Sequence, residues 1–168
     1  PLIGEHGTYR VELDSYSTDL DGKDSVIIIP RSSNAFNDGN AWDEFIMIMF
    51  YTPEGLYEGH MNDRFKIRNA GVVIYHVDAR LANNPDSWTY FMQDNEGKTN
   101  LLVGLLEADK NNSIPGNTSV SQSDILTSGG IDLSTYKWNQ GGSINVTIDI
   151  ESDISNTSSN VSLILNIA

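Results

Sequence analysis

Two short strings place acid–base or metal-binding side chains at the ends of apolar runs: His76-Val77-Asp78 and Glu107-Ala108-Asp109. Each closes what reads as a strand, where residues i and i+2 share a face. His76 and Asp78 therefore point one way together, as do Glu107 and Asp109. If the two strands are neighbours, the four groups converge at one end of a sheet. Such a constellation suits a bound metal ion or a proton transfer. The same residues also serve a plainer purpose: an imidazole fixed by a carboxylate, with acids easing strands into turns. A second candidate is the loop Asp19-Leu20-Asp21-Gly22-Lys23-Asp24. Asp19, Asp21 and Asp24 offer hard oxygen ligands around a glycine, which lets a short loop fold about calcium. The loop lacks the distal bidentate glutamate of an EF-hand, and D-x-D-G also makes ordinary turns between strands.

Aromatic residues offer a third kind of chemistry. Trp42, Trp88, Trp138, Tyr51, Tyr57, Tyr75 and Tyr90 include candidates for a sugar-stacking platform, although such residues more often fill a core or its rim. Trp88-Thr89-Tyr90-Phe91 lies between polar stretches and is the expected exposed cluster. Five triplets beginning at Asn111, Asn117, Asn145, Asn156 and Asn160 fit the N-glycosylation pattern. In a chain this rich in Asn and Ser they also arise from composition alone. The sequence has no H-E-x-x-H, no P-loop, no G-x-S-x-G and no G-x-G-x-x-G. His6, His60 and His76 are too far apart for metal-ligand spacing, and the lack of cysteine removes disulfides and thiol chemistry. No catalytic residue is assigned.

The elements that must carry these groups are strands. Thr8 to Leu13 alternates, with Tyr9, Val11 and Leu13 on one face. Ser25 to Pro30 is a β-branched run stopped by proline. Glu44 to Tyr51 and Gly71 to Val77 are apolar on both faces, which predicts central strands. Asn100 to Leu106, Ser143 to Ile150 and Val161 to Ile167 complete the set. Between them lie turn-forming stretches rich in Asn, Asp, Ser and Gly. Leu56 to Ile67 and Ser121 to Thr127 each predict a short helix. The expectation is an all-β, mainly antiparallel domain, a β-sandwich or barrel-like sheet with one or two short helices. The whole of 1–168 reads as one domain. A composition shift at Gly141-Gly142 makes 141–168 either a final hairpin or the start of a second module.

A chain of 168 residues that is 39% hydrophobic is long enough to enclose one core. Its net charge of -13 repels phosphate backbones and anionic lipid, so neither nucleic-acid binding nor membrane insertion is expected. The charge suits cations and the solubility of an exported protein, hence a secreted or cell-surface location. Pro1 without a preceding Met reads as a processed or truncated chain.

The order of these segments resembles the region that follows the catalytic centre in M6-family, immune inhibitor A-like, secreted zinc metallopeptidases. Gly7-Thr8-Tyr9 opens a strand, and Ser25–Pro30 follows. Glu44–Tyr51 with Thr52-Pro53-Glu54-Gly55-Leu56 is similar to the family's YFLIE strand and glycine turn. Gly71–Asp78 (GVVIYHVD) is similar to GLLIWHID, and Leu105–Asp109 (LLEAD) to LVEAD. Asp124-Ile125-Leu126 stands where the family has D-x-F. The match spans about residues 5–135. It departs where the third strand runs on through Met49-Phe50-Tyr51 instead of reaching a Glu, and in a shorter loop before Gly71. The resemblance implies a parent chain whose H-E-x-x-H helix holds zinc upstream. This chain would be a non-catalytic domain partnering that catalytic domain or helping present a protein or glycan substrate. The alternative is a free-standing extracellular module that binds carbohydrate or a surface, and a third reading is a hydrolase using the His76, Asp78, Glu107 and Asp109 cluster.

Overall fold

Period-two alternation builds two sheets that face each other. The computed structural model describes residues 2–18, 24–32, 43–55, 67–82, 90–93, 95, 100–111 and 120–168. Among the described residues, ten strands run in the order β1 (Gly7–Asp14), β2 (Val26–Pro30), β3 (Glu44–Tyr51), β4 (Gly71–Asp78), β5 (Leu81–Ala82), β6 (Tyr90–Phe91), β7 (Val103–Leu105), β8 (Gly130–Asp132), β9 (Val146–Ile150) and β10 (Asn160–Ile167). Sheet A has the order β2-β3-β4-β7, and sheet B has β1-β10-β9-β8. β5 and β6 form a separate two-stranded ladder. The ladders between these strands are all antiparallel, and isolated parallel bridges join Leu2 to Ile28 and Ser15 to Phe50. The protein is an all-β, sandwich-like fold.

Inward positions from both sheets meet in one core. Ile27, Ile29, Ile46, Ile48, Phe50, Val72 and Ile74 come from sheet A; Leu13, Ile131, Ile148, Val161, Leu163 and Leu165 come from sheet B. Each fully buried side chain of this size contributes about 1.5–3 kcal/mol. Tyr9 and Val11 pack on the same core with Leu13, as their alternation predicts. β3 and β4 hold the centre of sheet A. β4 is therefore covered on both faces, with Val73 joining Tyr51, Leu105 and Ile125 in a second cluster behind it. β9 and β10 lie within sheet B, with β10 between β1 and β9.

The predicted helix over Ser121 to Thr127 is cut to a single 3-10 turn, Gln122–Asp124. The Asp124 carboxylate accepts from the Ser121 backbone N–H at 2.5 Å and closes the turn at once. Ile125 returns to extended backbone, so Ile125 and Leu126 are buried and Leu126 bridges Val72. The other predicted helix, over Leu56 to Ile67, lies outside the described residues but for Ile67. A second 3-10 turn, Leu133–Thr135, begins a segment that leaves β8 at the edge of sheet B and reaches across to sheet A. Among the described residues, no helix is long and apolar enough to cross a membrane.

The strand directions give the sandwich two distinct ends. One collects the start of β3, the end of β4, the end of β2 and the start of β9, and is called the Glu44 end below. The start of β4, the end of β7 and the 122–126 segment gather at the other, the Glu107 end.

Candidate functional site

Glu44, His76 and Asp78 all point inward because each is in phase with a buried apolar series. Glu44 shares a strand face with Ile46, Ile48 and Phe50, and His76 and Asp78 share one with Val72 and Ile74. Glu44 and Asp78 are opposite each other across the β3–β4 ladder, and both are buried. Two carboxylates taken out of water must be paired or hydrogen-bonded, and here both are. The Glu44 Oε1 atom lies 2.8 Å from His76 Nε2 and also accepts from the Asn139 backbone N–H. Its Oε2 accepts from Gln140 Nε2 at 3.1 Å and stands 3.7 Å from Arg31 Nε. Asp78 receives Arg80 as a fork, Nε and Nη2 each at 2.7 Å, and Asn139 Nδ2 at 2.9 Å. Fork geometry of this kind is among the stronger polar contacts in proteins.

Electrostatics follow from that packing. Burial pushes the Glu44 carboxyl up, but hydrogen bonds from His76 and Asn139 outweigh it and hold the group below the usual glutamate value. Burial pulls Asp78 the same way, and the bonds from Arg80 and Asn139 again win, leaving it lowered. The hydrogen bond to Asp78 raises Arg80 further above its already high value. An ionised Glu44 only accepts, so His76 Nε2 carries the hydrogen between them. The Trp138 and His76 rings meet in a T-shaped contact, 5.6 Å between centroids at 73°. This network clasps the 138–140 segment to sheet A.

The four residues of the first sequence candidate do not converge. Their strands are neighbours, since β4 pairs with β7, but they run antiparallel, and His76 lies opposite Gly104. The strand exits therefore point to opposite ends, and Glu107 sits past the far end of β7, where Leu106 N–H bonds to Ile74 O. His76 and Asp78 belong to the Glu44 end, Glu107 and Asp109 to the other. At about 3.3 Å per residue, three positions of strand separate the two groups by roughly 10 Å.

Glu107 and Asp109 gain a different partner. One oxygen each from Glu107, Asp109 and Asp124 lie within 4.8 Å of one another. Glu107 and Asp124 are buried and Asp109 is exposed. The chain turns at Ala108, whose N–H bonds to Asp124 O, and Lys110 takes a positive φ of 60° to complete the turn. Asp109 accepts from the backbone N–H of Asn111 at 3.0 Å and from its Nδ2 at 2.9 Å. The backbone bond leads the effects that lower its pKa. Tyr136 donates its hydroxyl to Glu107 O at 2.7 Å. Burial, then the charges of Glu107 and Asp109, push that phenol up to about 12. Three hard oxygens suit calcium, which takes 6–8 oxygen ligands. Backbone carbonyls and water would supply the rest, and Asp109 would exchange its bonds to Asn111 for the ion.

Of the acidic loop, Asp24 is described, exposed and in the left-handed region with φ 59°; Asp19 and Asp21 lie outside the described residues. So does Trp88, whereas Phe91 is exposed on β6. Sequence reasoning missed Glu44, Arg31, Asn139 and Gln140. Glu44 carried a readable signal, an acid at a core-phase position of an apolar strand. The other three come from distant segments and had none.

Compared with known proteins, the chain matches no family model, no curated protein and no solved structure.

Proposed function

We propose that this chain is a non-catalytic β-sandwich module of an exported, M6-like zinc metallopeptidase, which braces the catalytic domain or helps it present substrate. One observation carries the reading. All of the resembling segments but the first pack side by side, with β2 on β3, β3 on β4, β4 on β7, and Leu126 bridged to Val72, while β1 pairs with β10 in the other sheet. Their polar groups support it too. Glu44, His76 and Asp78 are buried and bonded into the frame, so they hold the block rather than face a substrate. Among the described residues, no buried side-chain nitrogen or oxygen lacks a hydrogen-bond partner. Zinc belongs, on this reading, to an H-E-x-x-H helix outside these residues. Calcium at Glu107, Asp109 and Asp124 is a structural support of the module.

Casein digestion by the purified chain, with and without added zinc, and the coding sequence upstream of Pro1 test the proposal together. The expected result is no hydrolysis by the chain alone and an H-E-x-x-H motif upstream. Hydrolysis by the chain itself, or an upstream frame without the motif, rejects it.

A further inference from the structure

The clasp at the Glu44 end stands beside an open cavity of about 580 Å³ that the proposal above does not use. Buried Ile3, Ile29 and Val146 line it together with the polar and aromatic side chains of Glu5, His6, Arg31, Trp138, Ser143 and Asn145. The cavity forms where residues 3–6 cross from β2 to β1: Ile3 N–H bonds to Ile28 O, and Gly7 then pairs with Ile167.

We propose that this cavity binds a neutral sugar ring, with Trp138 as its stacking wall. Four observations lead there. First, Trp138 is held before any ligand arrives. Its N–H bonds to Gly142 O at 3.0 Å, and Gly141 N–H bonds back to its carbonyl at 2.9 Å. Gly141 and Gly142 both have φ near +90°, which a side chain would resist, so the tight turn depends on them. Its neighbour Asn139 is fastened to Glu44 and Asp78, and the Trp138 ring makes a T-shaped contact with His76. A fixed aromatic wall binds without paying for its own ordering.

Second, the size suits a ligand of one or two rings, within the ordinary range of small-molecule sites. Third, the lining mixes the indole of Trp138 and the imidazole of His6 with hydroxyl, amide and carboxylate groups from Ser143, Asn145 and Glu5. That pairing matches a pyranose, which has an apolar C–H face and a rim of hydroxyls. Fourth, the charge is balanced. Arg31 lies 3.7 Å from the buried Glu44 carboxylate, and Glu5 adds a second negative group on the wall. Of the permanently charged side chains on the lining, Arg31 and Glu5, neither offers an anionic sugar an unopposed cation. The inference stands apart from the metallopeptidase reading and survives its failure.

The test uses the three tryptophans. A Trp42→Phe, Trp88→Phe double variant leaves Trp138 as the only indole emitter. It is titrated with methyl glucoside, methyl galactoside, methyl mannoside and N-acetylglucosamine, and with glucuronate for comparison. At least one neutral sugar should produce a saturable blue shift. Calorimetric titration of wild type should give the same affinity, because the stacking wall is intact in both. Trp138→Ala should then weaken that binding by about tenfold or more. Asn145→Ala, at an exposed position, should weaken it with an unchanged melting temperature. The inference is overturned if no neutral sugar moves the emission. It is equally overturned if Trp138→Ala binds as well as wild type, or if glucuronate is preferred. Binding by wild type that the double variant loses would move the site to Trp42 or Trp88.

Discussion

Replacing Glu44 with Gln keeps the shape of the side chain and removes its charge, which isolates what the buried carboxylate contributes. In the native protein its oxygens take hydrogen bonds from His76, Asn139 and Gln140. A glutamine there can still accept two of them through its carbonyl oxygen. Its amide then faces the Gln140 amide, donor against donor. Bonds to a neutral acceptor are roughly half as strong as those to a carboxylate. Two weakened bonds and one lost bond sum to a destabilisation of about 3 kcal/mol at neutral pH. For a chain of this size that lowers the melting temperature by about 6–12 °C. The pH dependence supplies a sharper check. The folded-state pKa of Glu44 lies below its ordinary value, so its contribution is complete above the unfolded pKa. It is lost as pH falls through the folded pKa. The gap between wild type and Glu44→Gln should therefore be full above pH ~5 and close progressively below the ordinary glutamate value of about 4.3. Urea unfolding of both proteins between pH 3 and pH 7 measures it. Arg10→Ala serves as control, since the Arg10–Glu151 pair at 3.2 Å is exposed and surface pairs contribute only about 0–1 kcal/mol. A gap below about 0.5 kcal/mol at pH 7, no larger than the ordinary surface scatter, would refute the clasp. So would a gap that stays constant down to pH 3.

Three further outcomes are expected. Gly55→Ala should destabilise by about 1–3 kcal/mol in the same urea assay, because Gly55 has φ +61° and an added Cβ would come within 2.4 Å of the Ser17 carbonyl oxygen. In a spectrophotometric alkaline titration, Tyr136→Phe should remove a tyrosine that ionises at about 12, and an unchanged titration curve would count against its buried bond to Glu107. Calcium in excess should raise the melting temperature relative to chelator, by mass action on the folded state, and Glu107→Gln should abolish that rise. If calcium raises wild type and Glu107→Gln equally, the ion binds elsewhere, and Asp19, Asp21 and Asp24 become the place to look.

Which segments became strands was legible because alternation and β-branched runs carry their own signature. β1, β2, β3, β4, β9 and β10 match the stretches picked out by alternation or apolar runs to within three residues at either end. β8 and the β5–β6 ladder were not legible, since two or three residues hold too little of a period to detect. The candidate site was half readable. His76 and Asp78 do share a face, as do the buried groups around them. What no single strand reveals is the direction of its neighbour, and that direction sent Glu107 and Asp109 to the other end. Asp124 reached them through a turn that ended sooner than a helix would have. Asn139 and Gln140 became carboxylate partners only because the segment after β8 crosses between sheets, a tertiary event that leaves no local trace.

The pairing of β1 with β10 sets an order of events for synthesis. Gly7 meets Ile167, so the first strand of sheet B waits for almost the whole chain before its partner exists. At about 5–20 residues per second that delay is on the order of 10–30 s. β2, β3 and β4 can meet much earlier, and their inner face then stays uncovered while the rest is made. Contacts this distant also slow folding after release, since the loop must close before the ladder rewards it. A polypeptide arranged in this way leaves sheet B open until β10 emerges.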